Sequence, residues 1–273
     1  MKITVLIDNI SNNDLQAEWG LAVYIEHNGD TFLLDAGTTG IFTDNAKEIG
    51  VDLSKIKYAA LSHAHYDHAD GFEKFFEQNT HAKLYIREGA LENCYHRHNR
   101  IFHRYRYIGI RKGMLEKYSD RIVYAGGDYA LCEGVSLIGH KTKGLEEIGK
   151  SSSMYVKIGR KYSPDNYAHE QSLVFETEKG IVVFNSCSHG GIDNIIREVQ
   201  ETYPDKKILA LIGGLHLYRK TDEEVLLVAE KIKALGIEKV ITGHCTGEHA
   251  YQLLKEQLGD VVEQIYTGLE FSF

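Results

Sequence analysis

Proline is scarce in this sequence. Only Pro164 and Pro204 interrupt 273 residues, which excludes a Pro-rich linker between two halves of the chain. Cysteine is scarce as well: Cys94, Cys132, Cys187 and Cys245 occur without CxxC spacing, so neither a disulfide framework nor a zinc knuckle is indicated. No apolar run reaches the ~18 residues of a membrane span. Met1-Lys2 leads directly into an apolar alternation through Ile7, without the core of a signal peptide. These absences set the expectation of a cytoplasmic protein in a reducing compartment, with no membrane partner. Excess positive charge is missing too: 31 Lys+Arg against 39 Asp+Glu gives −8, which argues against general nucleic-acid binding. A composition of 43% hydrophobic and 26% charged residues excludes a disordered chain. α/β folds of about 250 residues often form one domain, so a single domain spanning 1–273 is expected.

What the chain has in excess is histidine, 14 residues in all, and histidine is the commonest metal ligand. Strands and helices alternate around these histidines. Lys2–Ile7 and Leu21–Glu26 read as strands, and the turn His27-Asn28-Gly29-Asp30 joins the second to Thr31–Asp35 as a hairpin. Helices are predicted from just after Gly37 to about Ile49 and from about Ala69 to Gln78. Further strands are predicted at Tyr58–Ser62, Lys83–Arg87, Ser172–Glu176, Ile181–Asn185, Ile208–Ile212 and Lys239–Thr242. Thr221-Asp222-Glu223-Glu224 fits a capping box ahead of a helix whose Val225, Val228, Ile232 and Leu235 share one face. Glu248–Leu258 reads as a helix, and Val261–Phe271 as a final strand that could close a sheet or serve a homodimer contact. Two strand-rich stretches, each accompanied by helices, imply a sheet sandwich with helices on both outer faces.

The strongest chemical signal is Ser62-His63-Ala64-His65-Tyr66-Asp67-His68. His63 and His65 sit two apart on extended chain and point to one side. Asp67 and His68 follow where the chain turns into a helix. Three imidazoles and a carboxylate form a set suited to Zn²⁺, with Mn²⁺ or Fe²⁺ also accommodated. This HxHxDH motif resembles that of the metallo-β-lactamase superfamily. Leu34-Asp35-Ala36-Gly37, Ser186-Cys187-Ser188-His189-Gly190-Gly191 and Thr242-Gly243-His244-Cys245-Thr246-Gly247 resemble its other motifs, in order along nearly the whole chain.

The resemblance implies an α/β fold, the αββα four-layer sandwich, with one or two metals at the edge between its sheets. It also implies His63, His65 and His189 around the first metal and Asp67, His68 and His244 around the second, with Asp35 bracing the histidine loop. Zn²⁺ is the implied metal, with Mn²⁺, Fe²⁺ or Mg²⁺ as alternatives. CSHGG, GGLHL and GHCTG together look most like a narrower group of metal-dependent hydrolases that includes an archaeal dihydropterin transferase. One departure stands out: many members carry a metal-bridging Asp where this chain has Asn185-Ser186-Cys187. Cys187 offers a soft ligand, although a cysteine flanked this way is more often inert core.

Other candidates weigh less. His140 is followed by Lys141, poor company for a cation, and His189 makes the better third ligand. His216 follows Gly213-Gly214, where backbone can approach a ligand, and reads equally well as a buried structural histidine. His169-Glu170 is expected to face solvent, and Asp70 and Asp193 to cap helices. From Asn93 to Leu115 there is no Asp or Glu, and Arg97, Arg100, Arg104 and Arg106 alternate with aromatics including Tyr107. Such a run is usually a solvated charged helix. Within an acidic chain, however, an insertion at about 93–115 suits an anion-binding lid over the metals.

The expected function is metal-dependent hydrolysis of a small anionic, phosphorylated substrate by an activated water, with Asp67 and His216 catalytic. The alternatives are a dihydropterin transferase joining a pterin diphosphate to an aminobenzene ribose phosphate, and a non-catalytic metal-dependent binder.

Overall fold

The computed structural model describes residues 1–12, 14–99 and 104–273. Strand periodicity explains its layers. In Lys2–Ile7, Ile3 and Val5 point to one face and Leu6 to the other; in Asp30–Leu34, Phe32 and Leu34 oppose Leu33 in the same way. Both faces are buried, which is why these strands read as continuous apolar runs.

Among the described residues the first sheet orders Glu270–Ser272, Lys2–Ile7, Ala22–His27, Asp30–Leu34, Tyr58–Ala60, Lys83–Arg87 and Ile122–Ala125. The second orders Val262–Gln264, Lys239–Thr242, Ile208–Ile212, Gly180–Phe184, Gln171–Thr177, Val135–Gly139 and Asp128–Cys132. Their inner faces meet in a core of Val5, Ile25, Phe32, Leu173, Phe175, Val182, Phe184 and Ile212. Helices Phe42–Ile49 and Phe72–Gln78 cover the outer face of the first sheet. Helices Ile192–Thr202, Asp222–Leu235 and Glu248–Leu258 cover that of the second. Ile192, Ile195, Ile196 and Val199 recur at helical spacing and are all buried, each contributing about 1.5–3 kcal/mol of burial. The result is the four-layer αββα sandwich expected from the sequence.

The hairpin turn at Asn28-Gly29 forms with Val23 paired to Leu34 and His27 to Asp30. Thr221 and Glu224 exchange both bonds of a capping box. Three boundaries differ from the sequence reading. The first helix starts at Phe42, not just after Gly37. The second is split into Tyr66–Ala69 and Phe72–Gln78. The single strand expected over Val261–Phe271 is two strands in different sheets, because Gly268, with φ of 87°, turns the chain from Val262–Gln264 toward Glu270–Ser272. That last strand closes the first sheet against Lys2–Thr4.

The described arginines Arg97, Arg104 and Arg106 lie on strands, not on a charged helix. Cys94–Asn99 and Arg104–Tyr107 pair antiparallel and join Met154–Ile158 and Lys161–Pro164 in a separate four-stranded sheet. Among the described residues no helix is long and apolar enough to cross a membrane.

Candidate metal centre

The parallel strands Asp30–Leu34 and Tyr58–Ala60 of the first sheet, and Gly180–Phe184, Ile208–Ile212 and Lys239–Thr242 of the second, release their loops at their carboxyl ends. Those loops carry Asp35, then His63 through His68, then Cys187 and His189, then His216, then His244. The carboxyl edge of an α/β sheet is where ligands gather, since the loops can converge there without breaking the ladder. Four of the loop residues, Asp35, Ser188, His216 and His244, adopt positive φ values of 59°, 51°, 51° and 48°. Non-glycine residues in that region cost roughly 1–3 kcal/mol each, a strain characteristic of functional loops. Gly213 and Gly214 admit the His216 loop: a Cβ on the first would overlap the Asn185 carbonyl, and one on the second the Cys245 sulfur.

Hydrogen bonds fix which nitrogen each histidine presents. The Ser62 hydroxyl donates to Asp35 Oδ2 at 2.6 Å and therefore accepts from His63 Nδ1 at 2.9 Å. His68 Nδ1 donates to the same Asp35 oxygen at 2.7 Å. Asn9 donates its amide to the His244 carbonyl at 3.1 Å, which orients its Oδ1 to accept from His244 Nδ1 at 3.0 Å. All three histidines are thus left with bare Nε2 lone pairs. Those of His68 and His244 face each other at 3.1 Å. Two acceptors meet there, and only a cation between them, proton or metal, satisfies both. Asp67 Oδ2 lies 3.6 Å from the His244 nitrogen and 3.9 Å from that of His68, and Cys187 Sγ lies 3.3 Å from His68.

A second convergence lies alongside. His63 Nε2, His65 Nε2 and both ring nitrogens of His189 are buried with no hydrogen-bond partner. Leaving four such atoms unsatisfied would cost on the order of 4–12 kcal/mol, comparable with the whole stability of a domain. A shared cation, taking one nitrogen from each of the three rings, removes most of that cost. Nitrogen donors of His63 and His189 and the Cys187 sulfur lie within 4.8 Å of one another, as do those of His68, Cys187 and His244.

The electrostatics suit ligation. Burial, reinforced by neighbouring histidines, holds His63 and His189 well below the ordinary imidazole range, and His65 is lowered to about 3. Burial works against charge on Asp67, but His68 and His244 outweigh it and keep the carboxyl well below its usual range. Neutral imidazole and ionised carboxylate are the forms that bind metal. His244 departs from this: burial disfavours its charge, but Asp67 outweighs that burial and raises it to about 9, so a metal there would displace its proton.

Other polar groups hold these loops in place. Glu170 accepts from the backbone N–H groups of His189 and Gly190, both at 2.9 Å, and from His140 at 2.7 Å. His140 also donates to Glu198 at 2.9 Å, so both its nitrogens are occupied by carboxylates. His169 accepts from the Ala64 N–H, between His63 and His65, and donates to Asp165 at 3.0 Å. His169 and Glu170 are 2% and 1% exposed, correcting the expectation that they face solvent. The carboxylates that need a partner are what draw them inward. Asp70 caps no helix start: it accepts from the Arg111 N–H at 2.8 Å. Asp193, in the first turn of its helix, pairs with Lys231 at 2.8 Å.

Above the histidines opens a cavity of about 360 Å³. His65, Asp67, His189, His216 and His244 line it, and its rim carries Trp19, His96, His98, Arg106, Tyr218 and Arg219. His216 Nδ1 is buried without a hydrogen-bond partner, its ring 4.3 Å from that of His189. The hairpin divides the expected anion-binding residues between its faces. Arg106 joins the cavity rim, whereas Arg97 stacks on Tyr155 at 4.8 Å, and Arg104 is exposed. Tyr107 packs on Tyr95 and donates to the Ile110 carbonyl. Arg100 lies outside the described residues.

Trp19, Tyr218 and Arg219 escaped the sequence reading. Trp19 Nε1 donates to Asp67 Oδ2 at 2.8 Å, and its ring meets Tyr218 edge-on at 5.3 Å. It is the only tryptophan in the chain, and Tyr218-Arg219 directly follow the GGLHL segment. Those were the available signals.

Residues 20–144 match the family profile described as metallo-beta-lactamase superfamily. A crystal structure of a metal-dependent hydrolase of the beta-lactamase superfamily superposes with a TM-score of 0.85 at 28% identity, covering 100% of this chain and 99% of the other. Residues 20–144 carry a metallo-beta-lactamase superfamily domain, and the whole chain shares its fold with that hydrolase. The chain is 26% identical to the 7,8-dihydropterin-6-methyl-4-(beta-D-ribofuranosyl)-aminobenzene-5'-phosphate synthase of Methanocaldococcus jannaschii, over 100% of this chain and 97% of that protein. Human tRNase Z, short form, shares the fold at a TM-score of 0.56 and 14% identity, covering 100% and 99% of the two chains.

Proposed function

We propose that this protein is a metal-dependent hydrolase of a small anionic, phosphorylated substrate. One observation carries the reading: bare imidazole nitrogens converge on the floor of a cavity whose rim bears Arg106 and Arg219. His63, His65 and His189 would hold one divalent cation, and Asp67, His68 and His244 a second. Zn²⁺ suits this nitrogen-rich set better than Mn²⁺, Fe²⁺ or Mg²⁺. Such a cation lowers the pKa of a water toward ~7 and polarises a phosphoryl or carbonyl oxygen. Asp67, its Oδ2 fixed by the Trp19 indole, orients the attacking water's hydrogen. His216 would touch the substrate beside His189, and Arg106, Arg219, His96 and His98 would hold its anionic group. The test is phosphate release from a phosphoester panel after metal loading. Turnover that disappears on chelation and returns with metal supports the reading; no release from any ester by fully loaded protein defeats it.

A second reading, dihydropterin transfer, is favoured by the full-length likeness to the archaeal synthase and by the aromatic wall of Trp19 and Tyr218, which offers a flat ring a face to pack against. There the arginines would grip a departing diphosphate. Incubation with a dihydropterin diphosphate and an aminobenzene ribose phosphate separates the two: a joined product without free pterin alcohol selects transfer.

A further inference from the structure

We propose that the Cys187 thiolate bridges the two metal positions, standing where many relatives carry a carboxylate. The inference rests on the metal-centre reading above and adds a ligand to it. Cys187 Sγ is common to two groups of ligand atoms, each within 4.8 Å: one with His63 and His189, the other with His68 and His244. Neither group itself contains a carboxylate, although Asp67 Oδ2 lies 3.6 Å from His244 and 3.9 Å from His68. The sulfur is 3.3 Å from His68 Nε2, and that nitrogen is 3.1 Å from His244 Nε2. Ligand atoms 2.0–2.3 Å from one tetrahedral zinc lie roughly 3.3–3.7 Å apart, so these spacings need only a small expansion to admit a metal. On the other side, His63 Nε2 and both nitrogens of His189 are buried without a hydrogen-bond partner.

The neighbours cannot take the role. Asn185 is turned into its own loop, its Oδ1 accepting from Ser188 N–H at 2.8 Å and its Nδ2 donating to Ser172 Oγ at 3.0 Å. Cys245 belongs to neither group, and its sulfur accepts from the His216 N–H at 3.3 Å. Metal binding would displace the Cys187 thiol proton to solvent. The resulting anion between two divalent cations offsets their repulsion, as a bridging carboxylate would. A thiolate bridge also selects among metals, favouring zinc, cobalt or iron over Mg²⁺.

The test is cobalt(II) titration of metal-free protein, followed by absorption and by elemental analysis. The full chain should take up two cobalt ions, with a sulfur-to-cobalt charge-transfer band in the near ultraviolet that grows over both equivalents. Cys187→Ser should lose the band and bind its second cobalt at least about tenfold more weakly. Cys187→Asp should bind two ions without the band, and Cys245→Ser should keep it. Two cobalt ions bound by the unmodified chain with no such band would overturn the bridge while leaving the metal centre standing. A band that saturates with one ion would also overturn it, making Cys187 a terminal ligand. No cobalt uptake at all would defeat the centre itself, and the bridge with it.

Discussion

The histidine centre and the arginine hairpin are both dense in charged and ring-bearing residues, yet they are built on opposite principles. In the centre three imidazoles are held by a hydrogen-bond partner from another position: Asp35 for His68, Ser62 for His63 and Asn9 for His244. In the hairpin, strand alternation sends Arg97, Tyr105 and Tyr107 to one face, and His96, His98 and Arg106 to the other. The aromatic face packs on itself, with Tyr105 stacked on Tyr162 at 3.8 Å. Pre-organisation is therefore concentrated at the metal floor, while the rim supplies charge from a few exposed side chains. The two meet where Ile110 N–H donates to the Ala64 carbonyl and Tyr66 N–H to that of Ile108.

The largest effect should come from the support beneath the centre. His140→Ala leaves Glu170 and Glu198 buried without their shared cation, and should destabilise the fold by about 3 kcal/mol in chemical denaturation. Burial disfavours charge on His140, but the two carboxylates outweigh it and raise the group to about 9. Its contribution is thus full below its ordinary value of 6.5 and fades as pH rises through about 9. Burial likewise opposes charge on Glu198, but His140 outweighs it and lowers this carboxyl to about 2. That contribution is full above its ordinary 4.5 and fades as pH falls toward 2. Unfolding midpoints across pH should plateau between these ordinary values, and the variant should flatten both limbs.

Next comes Asp35→Asn. An amide N–H₂ facing His68 Nδ1 opposes the hydrogen that Asp35 now accepts, and favours the tautomer that blocks Nε2. Metal affinity should fall about 10–100-fold in competition with a chromophoric chelator. An unchanged affinity would show that Asp35 does not set the tautomer.

The hairpin variants should separate its two faces. Arg106→Ala should raise KM for the anionic substrate about tenfold with kcat little changed, as expected for loss of a charge-assisted hydrogen bond. Arg97→Ala should leave KM within about twofold, because its guanidinium lies against Tyr155. Equal effects would mean that substrate reaches both faces. The smallest change belongs to Tyr107→Phe: about 1 kcal/mol of stability with KM unaffected, from losing the bond to the Ile110 carbonyl.

Much of the centre was legible because its ligands are clustered in sequence or sit beside glycines at strand ends. His63, His65, Asp67 and His68 occupy one turn of chain, and their spacing alone aims them together. Glu170 was misread because nothing local distinguishes a buried carboxylate from an exposed one. Its environment is made by His140, His189 and Gly190, which lie far apart along the chain. The hairpin was hidden for the related reason that an arginine-rich run without acids fits a helix face as readily as a strand until Met154–Ile158 pairs with it.

Sequence by itself determined the layered architecture, through strands apolar on both faces, and the clustering of His63, His65, Asp67 and His68 at one strand end, through the HxHxDH spacing. Tertiary structure decided which nitrogen His63, His68 and His244 offer, because that depends on Asp35 and Asn9 arriving from other loops to bond Ser62, His68 and His244. It also decided where Cys187 stands. A sulfur's place between two groups of histidines is set by how two sheets pack edge to edge, and no local pattern encodes that distance.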